Sequence, residues 1–195
     1  IEDLAFYGCN SLASLNIPNS VTSIGEFAFY WCISLTSITI GESVTSIGQS
    51  AFYNCPAITT VNISSIDSWL KIKFGDSRST PLNDGNHANC YIDGEKLTEV
   101  TIPNTITTIN ESCFYCWSDL TSVVIPASVV SIRQSAFAGC SSLISIEIPN
   151  SVKSIGEYAF WNDNKLDIVT NNAVTPQTVF TNSFPSHTLI AVPEE

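Results

Sequence analysis

Ala28-Phe-Tyr-Trp-Cys-Ile-Ser-Leu-Thr-Ser-Ile-Thr-Ile-Gly-Glu-Ser-Val-Thr-Ser-Ile-Gly-Gln-Ser50 is a unit of 23 residues that the chain repeats. Its opening pair returns as Ala5-Phe6, Ala51-Phe52, Ala136-Phe137 and Ala159-Phe160, and Cys113-Phe114 holds the same place. Phe6, Phe29 and Phe52 are 23 residues apart, as are Phe114, Phe137 and Phe160. Phe52 and Phe114 are 62 residues apart, two repeats and 16 more. A fixed period of this length is the signature of a solenoid, in which each unit buries its apolar face only against its neighbours.

Elementary patterning assigns the parts of the unit. In Ser14-Leu15-Asn16-Ile17 and Ser37-Ile38-Thr39-Ile40 apolar and polar residues alternate, which predicts strands with Leu15, Ile17, Ile38 and Ile40 facing inward. Pro18, Pro103, Pro126 and Pro149 follow the strand segments and end their pairing, since proline has no amide to donate. Ser23-x-x-Glu26, Ser46-x-x-Gln49, Thr108-x-x-Glu111, Ser131-x-x-Gln134 and Ser154-x-x-Glu157 match the capping box, which predicts a short helix or turn carrying each Ala-Phe pair. The expected fold is an α/β repeat: a right-handed solenoid over residues 1–195, with a parallel sheet on one face and short helices or turns on the other. Ile1 aligns with Ile24, so the chain is expected to start in mid-repeat and its parent to extend N-terminally. Residues 64–96 read as a variant insert. Residues 166–195 read as an atypical capping coil, because Asp163 replaces the repeat cysteine and Thr175-Pro176 and Phe184-Pro185 break the rhythm.

The units Ile17-Pro-Asn-Ser-Val-Thr-Ser-Ile-Gly-Glu26 and Ala28-Phe-Tyr-Trp-Cys32 resemble the BspA-like leucine-rich repeats, found in surface proteins of gut and oral bacteria and of some parasitic protists. The interruption, with Ile66-Asp-Ser-Trp-Leu-Lys-Ile-Lys-Phe74, Pro81-Leu82, Tyr91-Ile-Asp-Gly94 and Val100-Thr-Ile-Pro103, resembles an insert of the same family. The resemblance implies the leucine-rich-repeat solenoid, an extracellular or cell-surface location, and in some members adhesion to host matrix or plasma proteins. It brings no shared catalytic, metal or cofactor residues.

Composition narrows the function classes. The net charge of −11 opposes nucleic acid and anionic membranes, both of which call for clustered Lys and Arg. No apolar run reaches the ~20 residues of a membrane span. The Phe ladder reads as core rather than as a binding stripe. Cys9, Cys32, Cys55 and Cys140 share one repeat position and read as a stack of small buried thiols, though disulfides between coils stay open. Seven cysteines cannot all pair within one chain. Cys113-x-x-Cys116 lacks the second pair that a zinc site needs, and His87 and His187 have no ligand spacing. Neither G-x-S-x-G nor H-E-x-x-H occurs, so the chain reads as no enzyme, with no cofactor. Two glycosylation sequons begin at Asn62 and Asn110.

What remains is recognition. One candidate surface is the outward strand face: Ser14, Asn16, Ser37, Thr39, Thr60, Asn62, Glu99, Thr101, Ser122, Val124, Ser145 and Glu147. These side chains are small, whereas interface hot spots favour Trp, Tyr and Arg. A second candidate is the insert, with Trp69, Lys71, Lys73 and Arg78 beside a predicted Asn83-Asp84-Gly85 turn. The alternative for the insert is a coil whose Trp69, Leu70, Ile72 and Phe74 merely cover core. A third is the row of variable aromatics Tyr7, Tyr30, Trp31, Tyr53 and Trp161. The expected partner is an extracellular protein of matrix or plasma type, or a surface glycan, met by a monomer; a passive spacer is the competing reading.

Overall fold

In the computed structural model, which describes residues 1–83, 88–175 and 177–192, the chain is a solenoid of stacked coils with parallel strands. The strands Ser14–Ile17, Ser37–Ile40, Thr60–Ile63 and Asn89–Ile92 pair in parallel, with Leu15 opposite Ile38 and Ile38 opposite Val61. Glu99–Thr101 pairs with Ser122–Val124, and Ser145–Ile148, Ile168–Asn171 and Leu189–Ala191 form a further set. Inward residues of these strands such as Ile38, Ile40, Val61, Val100, Val123, Ile146 and Val169 are buried. The alternation written in the sequence thus sets the register, because a one-residue slip would turn every one of them to solvent.

Of the short helix or turn expected at each Ala-Phe pair, the structure shows the turn. Among the described residues the one α-helix is Ile66–Leu70, in the insert. The capping-box residues instead lie in a second set of short parallel strands: Ser23–Ile24, Ser46–Ile47 and Lys73–Phe74, then Thr108–Ile109, Ser131–Ile132, Ser154–Ile155 and Thr178–Val179. The Ala-Phe segment that follows is a turn, for a local reason. Phe27 and Trp31, two residues either side of Phe29, both have positive φ (54° and 62°), and Ser135 (51°) and Gly139 (80°) repeat this around Phe137. Left-handed residues four apart cannot belong to a right-handed helix.

Backbone pairing replaces the helix. Phe27, Phe29 and Trp31 donate their amides to the carbonyls of Gln49, Ala51 and Tyr53 in the next coil, at 2.9, 2.9 and 3.1 Å. Along the strand side donation runs both ways, as Thr36 donates to the carbonyl of Ala13 in the earlier coil and Ile102 to that of Val124 in the later one. Each turn of the solenoid therefore satisfies its polar backbone through its neighbours, as a buried backbone must.

The Phe side chains fill the interior behind this ladder. Phe6, Phe29 and Phe52 stack with centroids 5.1 and 5.2 Å apart, and Phe114, Phe137, Phe160 and Phe184 at 4.8, 5.1 and 5.1 Å, within the range of favourable ring pairs. Phe184 extends the row beyond the last clear repeat of the sequence. Between the two stacks the insert supplies Trp69, which packs on Phe74 and Trp117 and donates its Nε1–H to the Cys113 carbonyl at 2.7 Å. The second sheet breaks at the same level, and Asn110 bridges the break by donating Nδ2 to the carbonyls of Leu70 and Ile72. Tyr91 and Ile92 then turn back against Glu95 and Lys96 in an antiparallel hairpin before the next coil starts.

Phe137→Ala is expected to destabilise the chain by about 3–5 kcal/mol, because both of its stacked neighbours face the cavity. Phe6→Ala, at a half-exposed rung, is expected to lose well under that. Urea unfolding of the two variants checks this, and equal losses would contradict the stacked core.

Candidate functional site

The outward strand residues point to solvent as the alternation requires. Ser14, Asn16, Glu99, Thr101, Ser122, Val124, Ser145 and Glu147 are exposed, and Ser37, Thr39, Thr60 and Asn62 are half-buried by one another. The surface they make is smooth. Its polar groups partly satisfy each other, with Asn62 Nδ2 donating to Thr39 Oγ1 and Asn172 Nδ2 to Glu147 Oε1.

The insert does not present its candidate residues together. Trp69 is 1% exposed and faces the core, so it offers no surface. Lys71 pairs with Asp67 on the short helix, and Lys73 is exposed on the second sheet. Arg78 goes elsewhere: its guanidinium lies 4.9 Å from the centre of the Tyr53 ring, a cation–π contact. The loop that carries it is tied down by Asp76, whose carboxylate accepts from the amides of Arg78 and Ser50 and from the hydroxyls of Ser50 and Ser79. Asp84, Gly85 and His87 lie outside the described residues, as does Pro176 of the Thr175-Pro176 break.

Arg78 thereby joins the aromatic row. Tyr7 stacks on Tyr30 at 5.3 Å, Tyr30 meets Tyr53 edge-on at 5.6 Å, and Trp31 leans on Tyr7 and Tyr30. Trp31 is 51% exposed and Tyr7 47%. Trp161 is exposed too, but it packs near Tyr158 in a distant coil. Trp31 occupies a left-handed position that other coils give to Gly8, Asn54, Cys116, Gly139 and Asn162. Glycine and asparagine suit that conformation, and a bulky side chain there costs roughly 1 kcal/mol. Beside Trp31 opens a cleft of about 430 Å³, lined by Trp31, Ile33, Tyr53, Asn54, Cys55, Pro56 and Asn83. Sequence patterning singled out the aromatics but not Ile33, Asn54, Pro56 or Asn83. The column of glycines and asparagines two residues after each Phe was the signal that marked Trp31 as an exception.

The cysteines serve the backbone. Cys32, Cys55 and Cys140 donate their thiols to the carbonyls of Phe6, Phe29 and Phe114 in the preceding coil, at 3.2, 3.0 and 3.1 Å. None of the seven cysteines is in a disulfide, and burial raises the thiol pKa of Cys90, Cys113 and Cys140, which keeps them protonated and unreactive. Cys113 of the C-x-x-C pair is fully buried at the Ala position. Among the described residues no three His, Cys, Asp or Glu side chains gather as metal ligands, and no helix is long and apolar enough to cross a membrane.

Asp163 takes the thiol's place one coil further on. It is fully buried; Oδ1 accepts the Cys140 amide at 2.8 Å, and Oδ2 has no partner among the described residues. Burial pushes its carboxyl pKa up to about 8, and the amides of Cys140 and Gly139 only partly counter this.

The sequence profile described as BspA type leucine rich repeat region matches six copies across residues 1–79 and 87–191. No curated protein is detectably similar in sequence. Among solved structures, a leucine-rich cell surface protein of Faecalibacterium prausnitzii is 24% identical with a TM-score of 0.51, over 100% of this chain and 63% of that one. A leucine-rich repeat protein of Eubacterium ventriosum is 20% identical (TM-score 0.46, over 91% of this chain and 65% of that one). One of T. pallidum is 23% identical (TM-score 0.42, over 95% and 71%). The chain thus spans under two thirds of the first two, and the likeness to the first supports the fold alone.

The buried carboxyl sets a pH dependence. Its folded pKa lies above the ordinary value of 3.8, so the folded state holds a proton that the unfolded state releases. The stability tied to that proton is full below about pH 4 and is lost as pH rises through about 8. Asp163→Asn is expected to be more stable than the natural chain at pH 9 by roughly 1–3 kcal/mol, with a smaller difference at pH 5. Urea unfolding at the two pH values checks it, and parallel pH profiles for the two proteins would contradict it.

Proposed function

This chain belongs to the BspA-type leucine-rich repeat family, and from that premise we propose that it is a non-catalytic recognition module, outside the cell or on its surface, that binds a macromolecule through the aromatic ridge of its first three coils. The observation that carries this reading is the convergence of Tyr7, Tyr30, Trp31, Tyr53 and Arg78 on one patch, with Trp31 half exposed. Trp, Tyr and Arg dominate the energetics of interfaces. Their backbone is fixed by the ladder between coils, so little ordering is left to be done on binding. The strand face supports the same choice by contrast, since its Ser and Thr side chains provide no large anchor.

A solvent-exposed aromatic cluster of this size adds nothing to a spacer, whose surface is best kept polar. The chain's negative charge favours a partner that is neutral or basic at the contact. An extracellular protein of matrix or plasma type, or a surface glycan, is the partner class that the family premise brings.

The test is a binding screen against matrix and plasma proteins and a glycan array, run with the natural chain, with Trp31→Ala, and with a strand-face variant carrying Thr39→Arg and Asn62→Arg. The expected result is saturable binding to at least one ligand, weakened ~10-fold or more by Trp31→Ala and left intact by the strand-face variant. Loss through the strand-face variant alone would move the site to the sheet. Silence of the natural chain on both panels would leave the spacer reading in its place.

A further inference from the structure

The cleft beside Trp31 has a chemistry narrower than the ridge around it. Its lining includes the half-exposed Trp31, with Tyr53, Ile33 and Pro56 as further apolar residues and Asn54 and Asn83 as the amide-bearing ones; Asn83 is buried, its Nδ2 donating to the carbonyls of Phe52 and Thr80. Among the described residues no charged side chain lines it. The nearest guanidinium, that of Arg78, is engaged over Tyr53. Its volume, about 430 Å³, lies near the small end of ligand pockets, roughly 300–1,000 Å³.

We propose that this cleft binds a neutral hexopyranose unit of a glycan. The inference rests on the recognition reading above and names the chemical group that the ridge receives. A pyranose ring has an apolar face of C–H groups and a rim of hydroxyls. The C–H face matches the electron-rich face of an indole, as other partially positive hydrogens do. The hydroxyls are at once donors and acceptors, and amides are the side chains that answer both. Asn54 is placed for this role: its Nδ2 makes only a long 3.5 Å bond to the Tyr30 hydroxyl, and its Oδ1 accepts nothing among the described residues. The chain's net charge of −11, with an uncharged lining among the described residues, selects against sialylated and sulfated sugars.

Geometry makes the site rigid before any ligand arrives. The Trp31 amide is bound to the Tyr53 carbonyl at 3.1 Å, so the two aromatic walls belong to adjacent, directly bonded coils. Trp31 also stands in one of the left-handed positions that flank each Phe, so its backbone is fixed by the same ladder.

The experiment follows tryptophan emission of the intact chain during titration with neutral hexasaccharides of glucose, mannose, galactose and N-acetylglucosamine, and with sialyllactose as the acidic control. Trp69 and Trp117 are buried, so the exposed reporters are Trp31 and Trp161. The expected result is a saturable change with at least one neutral sugar at a Kd of millimolar or tighter (about −4 kcal/mol at 1 mM). The affinity, read for each variant by isothermal titration calorimetry because Trp31 is itself the reporter, survives Trp161→Phe, falls ~10-fold in Trp31→Ala and in Asn54→Ala, and is partly restored by Trp31→Phe. Circular dichroism of each variant confirms the fold. No response to any neutral sugar at about 10 mM, or an equal response to sialyllactose, overturns the proposal. If a protein from the screen binds through Trp31 and still binds after enzymatic removal of its glycans, the recognition reading stands and the sugar site falls. If nothing binds in either experiment, both fall together.

Discussion

Every coil of this solenoid depends on the hydrogen bonds it makes to the next. A chain segment wound around an apolar interior has nowhere else to place its amides and carbonyls, and leaving them unpaired is expensive. The strands meet this need in the usual parallel manner. On the opposite side the turns meet it as well, through the alternate amides of Phe27, Phe29 and Trp31 and their equivalents in other coils. The left-handed residues flanking each Phe follow from that pairing, because they keep the turn flat enough to lie against its neighbour while the Phe ring is directed into the stack. The repeat thiols complete the arrangement by donating to the Phe carbonyl of the coil before.

The insert shows what happens when the rhythm is broken. It interrupts the Phe stack, both sheets and the ladder at one level, and repairs each by a different device: Trp69 in the core, Asn110 across the second sheet, and a hairpin at the edge of the main sheet. Its loop also brings Arg78 back over Tyr53. Core repair and a contribution to the aromatic ridge thus come from the same excursion of chain, and different residues carry the two roles.

Much of this was legible in the sequence. The 23-residue period, the strands at Ser14–Ile17 and Ser37–Ile40, and the burial of the Phe and Cys columns beyond the first coil, where Phe6 and Cys9 stay partly exposed, follow from spacing and alternation alone. The short helices did not follow, because Ser-x-x-Glu is a local signal and a second strand pairing with the neighbouring coil outweighs it. Trp69 illustrates a similar ambiguity, since an aromatic among charges reads equally well as an anchor or as filler. The cleft was invisible for a different reason: Trp31, Asn54 and Asn83 meet only through the stacking of coils and the return of the insert. The column containing Gly8, Asn54, Gly139 and Asn162 was nevertheless readable, with Trp31 and Cys116 as its exceptions and Trp31 the only bulky one.

The aromatic ridge is rigid because the turns beneath it are laddered from coil to coil. Native-state amide hydrogen exchange tests this directly. The amides of Phe27, Phe29 and Trp31 should exchange as slowly as those of the strand residues Ile38 and Val61, through opening close to global unfolding. Exchange at those three positions orders of magnitude faster than in the strands would mean that the turns fray, and that the aromatic ridge is not a preformed surface.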